Sequence, residues 1–142
     1  MKALMLIFAA LFSTAAQADF ARPITTDNLN CTGQAKGKPS IGVLIKSRSG
    51  LTTITIRQGT LLDTSAVKQS LTVQSEGNVY IQQVVNGSHN LFLTGPALPR
   101  LLSSGGSVNA QLKGTLDLFA SNAQYQLTCK GVLSAAVDAQ AR

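Results

Sequence analysis

The stretch "NVYIQQVVNGSHNLFLT", residues 78–94, contains two alternating segments separated by a turn signal. In the first segment Val79 and Ile81 alternate with more polar residues, and the pattern resumes after the turn. A period of two predicts β-strands, because successive side chains of a strand point to opposite faces. Asn86 and Gly87 both tolerate positive φ, which favours a two-residue type I′ turn. The stretch therefore predicts an antiparallel hairpin.

The same alternation extends through most of the chain. Further strand-like segments are "SIGVLIK" (40–46), "TTITIRQ" (52–58), "SLTVQS" (70–75), "SVNAQLKGTLDLF" (107–119) and "QYQLTCK" (124–130). The first of these is almost continuously apolar, which predicts a strand covered on both faces. Only 63–70 and 98–104 allow a helix, of about one turn each. About eight short strands predict an all-β fold, a small antiparallel β-barrel or sandwich, and the alternation does not distinguish the two.

The N-terminal residues have the pattern of a secretory signal. Lys2 precedes the uncharged apolar run 3–12, and small residues at Ala16 and Ala18 form a cleavage motif. The run is too short for a transmembrane helix, which needs about twenty residues. We therefore expect residues 1–18 to be a cleaved Sec-type signal peptide, typical of bacterial export to the periplasm or beyond.

The rest of the chain has the length of one domain. Residues 19–142 are expected to form a single secreted β-domain with no membrane span. The sequence leaves open whether 19–27 and 134–142 are ordered or form tails, and "SAAVDAQAR" at the C-terminus is small and polar, as is typical of a frayed tail.

The chain has two cysteines, Cys31 and Cys129, and both lie in strand-like segments. Cysteines in an exported chain are expected to form a disulfide. A metal site would need further ligands at close spacing, and His89 is the only histidine. A redox pair would have the spacing Cys-x-x-Cys. We therefore predict a structural Cys31–Cys129 disulfide that ties the N-terminal strand to the C-terminal strand, with Gly33 and Gly131 allowing close backbone approach beside it.

Positive charge is concentrated in one part of the sequence. The chain has 12 Lys and Arg residues against 6 Asp and Glu, a formal net charge of +6. No acid occurs between Asn28 and Leu62, a segment that contains Lys36, Lys38, Lys46, Arg48 and Arg57. One interpretation of this run is a basic face for an anionic envelope component or an acidic envelope protein. The other, which we favour for the run taken alone, is a set of solubilising turn and edge lysines. Nucleic acid is disfavoured because no aromatic residue stands among these cations to stack on a base.

No pattern in the sequence indicates an enzyme, a metal site or a cofactor. The chain lacks a Gly-x-Ser-x-Gly motif and a phosphate-binding loop, and Asp63, Glu76 and Asp117 are far apart in sequence. His89 follows the Asn-Gly turn, so we expect an exposed turn histidine. A hydrolase that uses His89 is the least favoured function.

The segment "TGPALPRLL", 94–102, has two interpretations. Its prolines predict a stiff loop, which could project Leu98, Arg100 and Leu101 as a contact surface. Alternatively, the segment crosses between strands and its leucines cap an open end of the barrel, which is the interpretation we favour.

The sequence therefore predicts a non-enzymatic binding or inhibitor module of the cell envelope that uses its basic face. The alternative is a structural or assembly subunit that joins other copies through an exposed strand edge. The edges expected for that purpose are "TTITIRQ", 52–58, and the terminal strands.

Overall fold

The computed structural model describes residues 20–85 and 89–135. This part of the chain is mostly antiparallel β-structure, with one short helix and one 3₁₀ turn at Phe119–Ser121. The strands are β1 (Phe20–Gln34), β2 (Ile41–Arg48), β3 (Leu51–Gln58), β4 (Leu61–Val67), β5 (Leu71–Ser75), β6 (Val79–Val85), β7 (His89–Thr94), β8 (Gly106–Leu118) and β9 (Ala123–Ala135); the helix α1 is Leu98–Ser104.

Six of the strands close into a barrel. The sheet order is β4-β3-β2-β1-β5-β6-β7-β8-β9, and β9 also pairs with β1. Strands β1 and β5 to β9 thus form a closed ring, which makes the fold a barrel rather than a sandwich. β1 makes this possible because its first residues pair with β5 and its later residues pair with β2. Strands β2, β3 and β4 extend the sheet from that second half of β1.

The predicted alternation matches the observed burial. Apolar residues on the inward faces of the strands form one core, and they include Ile54, Leu71, Val73, Ile81, Leu91, Leu93, Leu112, Leu116 and Leu127. Each fully buried aliphatic side chain of this kind contributes about 1.5–3 kcal/mol. The prediction that 40–46 is covered on both faces is wrong, because β2 alternates buried and more exposed residues like its neighbours.

The segment 94–102 crosses from β7 to β8 and contains α1. Leu98, Leu101 and Leu102 of α1 are buried in the core, and the helix contacts β5, β6, β8 and β9. This confirms the crossover interpretation. The prediction that Leu98 and Leu101 form an exposed contact is wrong, because the helix turns both leucines inward. Arg100 is exposed, as expected.

Strands extend into three segments that the sequence left open: both ends of the described chain and most of 63–70. The segment 19–27 forms the first half of β1 from Phe20 onward, because these residues pair with β5. At the other end, 134–135 still belong to β9 and pair with β8. The stretch 63–70 is not helical, since most of it lies in β4. The expected signal peptide, the rest of the C-terminal tail and the Asn86-Gly87 turn lie outside the described residues.

The predicted disulfide is present. Cys31 of β1 and Cys129 of β9 lie directly opposite each other, are bonded, and are buried. Gly33 lies beside the bond, where an added β-carbon would come within 2.8 Å of the Ile41 side chain. The disulfide joins β1 and β9, the two strands whose pairing closes the barrel. Within the described part of the chain, no helix has the length and apolar character needed to cross a bilayer.

Candidate functional site

A bulge in β1 opens a cleft on the outer surface of the barrel. Residues 27–28 stand opposite the single residue Lys46 of β2, and 26–29 stand opposite 131–133 of β9. Such bulges bend a strand and are common beside functional sites. The cleft measures about 550 Å³, and the residues that matter for its chemistry are Asp27, Asn28, Asn30, Arg48, Lys130 and Val132.

Gly131 allows the two strands to approach each other at this bulge. An added β-carbon there would lie 2.5 Å from the carbonyl oxygen of Asn28 and 3.0 Å from the Cα of Leu29. Any other residue would push β1 away from β9. The expectation that Gly131 permits close backbone approach is therefore confirmed, and this approach shapes the floor of the cleft.

The polar side chains of the cleft are linked in pairs. Arg48 Nε donates a hydrogen bond of 2.8 Å to Asp27 Oδ1, and Arg48 Nη2 donates to the same oxygen. Asn30 Nδ2 donates to Asn28 Oδ1 at 2.7 Å. Both side chains of the ion pair are mostly exposed, so the pair contributes at most about 1 kcal/mol to stability. Its main effect is to orient the Asp27 carboxylate and the Arg48 guanidinium within the cleft.

Three of the five predicted cations point outward from the strands beside β1, and one of them, Arg48, lines this cleft. Lys46 and Arg48 point outward from β2, and Arg57 points outward from β3. Lys36 and Lys38 are exposed in the loop between β1 and β2. The structure thus brings Lys46, Arg48 and Arg57 to one side of the sheet and leaves the two loop lysines at the end of a hairpin.

Two further cations share that surface and were not predicted. Lys130 of β9 pairs with Asn30 of β1, and Lys113 of β8 pairs with Thr128 of β9. We call this surface the basic face; it comprises the outward sides of β3, β2, β1, β9 and β8 and contains Lys46, Arg48, Arg57, Lys113 and Lys130. Alternation within 107–119 and 124–130 places both lysines opposite the core, but only the barrel closure brings them beside β1.

One row of the basic face runs straight across five strands. Successive pairs join Arg57, Gly42, Thr32, Thr128 and Lys113, and all five residues are exposed. Its ends are separated by four interstrand spacings, about 19 Å along the sheet. The three residues between the two cations are small, so this row is a shallow track with a positive charge at each end.

Acidic residues contribute little to this face. Asp27 is the acid closest to its centre, and Arg48 pairs with it. Asp117 lies near the far end of β8, where Gln124 Nε2 donates to its Oδ1 at 2.8 Å. Among the described residues there is no cluster of three or more His, Cys, Asp or Glu side chains that could hold a metal ion.

The exposed edge of the sheet is β4. β3, which contains "TTITIRQ", is paired on both sides, and so are the terminal strands β1 and β9. The prediction that these segments provide edges is wrong, because the chain adds β4 beyond β3 and pairs its two ends with each other. Among the described strands, only β4 has a strand on one side alone. It carries Leu61 and Leu62, which are 69% and 61% exposed.

His89 is buried rather than exposed. It begins β7, pairs with Leu118 of β8, and is 7% exposed. Its Nδ1 has no hydrogen-bond partner among the described residues. Burial lowers the pKa of His89 from its usual value of 6.5, and the charge of Asp63 offsets part of this shift. The expectation of an exposed turn histidine is wrong, because β7 begins at His89 itself and turns the imidazole inward.

We expect His89 to make stability depend on pH. Its folded-state pKa is lowered, so the unfolded chain takes up the proton first as the pH falls through about 6.5. The free energy of unfolding should therefore decrease as the pH falls through about 6.5 toward the lowered folded-state pKa. Urea unfolding of the wild type and of His89→Gln at a series of pH values measures this contribution, which the variant should lack. Equal pH dependence in the two proteins contradicts the prediction.

Comparison of the sequence and structure with family models, characterised proteins and solved structures gave no match. The candidate site is therefore defined by its geometry alone: a basic face about five strands wide, with a polar cleft at the bulge of β1.

Proposed function

We propose that this protein is an exported binding module of the cell envelope that holds an extended anionic ligand on its basic face. The observation that carries the proposal is the convergence of Lys46, Arg48, Arg57, Lys113 and Lys130 on one surface, from segments far apart in sequence. Four other exposed cations, Lys36, Lys38, Lys68 and Arg100, lie in loops and in α1, whereas these five lie on the outward sides of neighbouring strands. Binding or inhibiting such a partner makes and breaks no covalent bond, so the proposed function requires no catalytic residue.

The spacing of the cations favours a polymer over a small ion. Arg57 and Lys113 are about 19 Å apart along the sheet, which exceeds the Debye length of about 8 Å at physiological ionic strength. A small anion near one of them would be screened from the other. A linear anionic chain can contact both cations, because the residues between them, Gly42, Thr32 and Thr128, have no large side chain that would obstruct it.

Charge reversal tests the proposal. We expect Arg57→Glu/Lys113→Glu to weaken binding of dextran sulfate, a linear anionic probe, by about tenfold or more, since two contacts become repulsive (tenfold is about 1.4 kcal/mol). Titration calorimetry at two salt concentrations measures the effect, and higher salt should weaken wild-type binding.

The matched control for net charge is Lys68→Glu/Arg100→Glu. Both residues are exposed, and they lie in the turn after β4 and in α1, away from the basic face. An equal loss in this control would show that only net charge matters and would overturn the proposal. Absence of binding by the wild type to sulfated, carboxylated and phosphorylated polymers alike would do the same.

The β4 edge supports a second candidate function, assembly with another copy of the chain. β4 has no proline or lysine, residues that commonly protect an exposed edge, and Asp63 is its one charged residue. Its exposed Leu61 and Leu62 are the two most exposed large apolar residues of the described chain. Antiparallel pairing of β4 with the β4 of a second copy would cover this edge and these leucines.

A single charge on β4 should separate the two copies. We expect Leu62→Lys to shift the protein from dimer to monomer in sedimentation equilibrium. Pairing of two β4 strands would remove water from the charged lysine, and this cost favours the monomer. Val132→Lys is the control, since Val132 is 50% exposed but lies in β9, which is paired on both sides. A wild type that is monomeric at the highest attainable concentration contradicts the assembly function.

A further inference from the structure

The cleft at the β1 bulge combines groups that a purely anionic ligand would not use together. Lys130 and Arg48 contribute positive charge, whereas Asp27 contributes a carboxylate, and Asn28 and Asn30 contribute amides. The rest of the basic face lacks such a mixture, because its row between Arg57 and Lys113 has no acid. The cleft is therefore a more selective part of the proposed binding surface.

A simple oxyanion fits the cleft poorly. Phosphate and sulfate ions offer mainly acceptors, so they can use Lys130 but provide no hydroxyl donors for the Asp27 carboxylate and the Asn28 amide oxygen. A metal cation is disfavoured for the opposite reason, since Arg48 already occupies Asp27 Oδ1 and Lys130 adds a second positive charge. The cleft suits a ligand that carries hydroxyl donors and an anionic group on one compact unit.

The acceptors in the cleft are held in place before any ligand arrives. Both Arg48 donors bond to Oδ1 of Asp27. These two bonds hold the carboxylate in one orientation and so also fix the position of Oδ2. The hydrogen bond from Asn30 to Asn28 orients both amides in the same way. Hydroxyl groups bind such arrays well, because each hydroxyl can donate to a carboxylate or amide oxygen and accept from an amide N–H.

The cleft also has an apolar surface and adequate size. Val132 borders it and is 50% exposed, and Gly131 beside it presents no side chain. A pyranose ring has hydroxyls at its edge and C–H groups on its face, which matches polar side chains beside an exposed valine. The volume of about 550 Å³ lies within the range of about 300–1,000 Å³ that is usual for small-molecule sites.

We propose that the cleft binds one acidic sugar unit, of the hexuronic acid type, within a longer acidic glycan. The carboxylate of the sugar contacts Lys130, its ring hydroxyls hydrogen-bond to Asp27 and Asn28, and its C–H face packs on Val132. This inference rests on the proposed function, because the remainder of the glycan lies along the basic face. It assigns the proposed anionic polymer to a chemical class, an acidic polysaccharide that keeps free ring hydroxyls, in contrast to dextran sulfate, whose hydroxyls are largely sulfated.

The test compares oligogalacturonate with dextran sulfate on the wild type and on Asp27→Asn. The substitution removes a negative charge, which favours the binding of any polyanion. It also replaces the carboxylate that accepts hydrogen bonds from the sugar hydroxyls. We expect oligogalacturonate affinity to fall about threefold to tenfold while dextran sulfate affinity is unchanged or rises. Asn28→Ala is a second variant with the same net charge as the wild type, and it should weaken oligogalacturonate alone.

The outcomes separate the inference from the function. If Asp27→Asn raises the affinity for both ligands, or Asn28→Ala changes the affinity for neither, the cleft responds only to charge. The inference is then wrong, while the proposed function stands. Binding of dextran sulfate without oligogalacturonate leads to the same conclusion. If the wild type binds neither polymer, the proposed function fails and the inference with it. Lys130→Gln should weaken oligogalacturonate by about tenfold, and a neutral galactose oligomer should not bind.

Discussion

Replacing Cys31 and Cys129 together by alanine is expected to lower the free energy of unfolding by about 4–5 kcal/mol. The two residues are 98 positions apart, so the bond removes a large amount of conformational entropy from the unfolded chain. Net stability of a small domain is about 5–15 kcal/mol, and the variant is therefore expected to be marginal or unfolded at 37 °C. The bond also joins β1 to β9, the pairing that closes the barrel.

Urea unfolding of the oxidised wild type and the double variant measures this effect. The wild type under reducing conditions is the control, because it loses the crosslink but keeps both sulfur atoms in the core. It should match the variant within about 1 kcal/mol. A difference below about 1 kcal/mol between oxidised wild type and variant would show that the unfolded chain is already compact and that the crosslink contributes little.

Gly114→Ala is expected to destabilise the protein by about 3 kcal/mol or more. A β-carbon at Gly114 would overlap the carbonyl oxygen of Phe92 and lie 2.8 Å from the Cα of Leu93. These are backbone atoms of the neighbouring strand β7, which cannot move aside as a flexible side chain could. The substitution therefore disrupts the pairing of β7 with β8 at this point.

Gly42→Ala provides the matched control for Gly114→Ala. Gly42 also lies inside a strand, β2, but an added β-carbon there meets no heavy atom within 4 Å. Its stability should change by less than about 0.5 kcal/mol, because alanine in an exposed strand position introduces no clash. Chemical denaturation of both variants decides the matter, and equal losses would contradict the account based on backbone overlap.

The candidate site was only partly predictable from the sequence. Lys46, Arg48 and Arg57 lie within one hairpin, so their alternation sufficed to place them on one face. Lys113 and Lys130 reach the same face only through the pairing of β9 with both β1 and β8. The cleft depends on a bulge near Asp27, and no local pattern in the sequence indicates where a strand accommodates an extra residue.

Errors in the sequence-based expectations have a common physical cause. His89 was expected to be exposed because it follows a turn signal, yet its burial depends on which strands lie around it. Leu98 and Leu101 were ambiguous for the same reason, since an apolar loop residue is buried only if a core lies beneath it. "TTITIRQ" has the pattern of an edge strand as much as of an interior one, and β4 made it interior.

The sequence by itself determined that the chain is all-β, that its segments form successive hairpins, and that its two cysteines pair. Side-chain alternation and turn residues act between near neighbours, and two cysteines in one chain allow a single intramolecular disulfide. Only the tertiary structure decided that the sheet closes into a barrel, that β4 is left as its edge, and that Arg48 and Lys130 line one polar cleft. These features depend on the register between strands distant in sequence, which is set by burial of the whole core rather than by any local stretch.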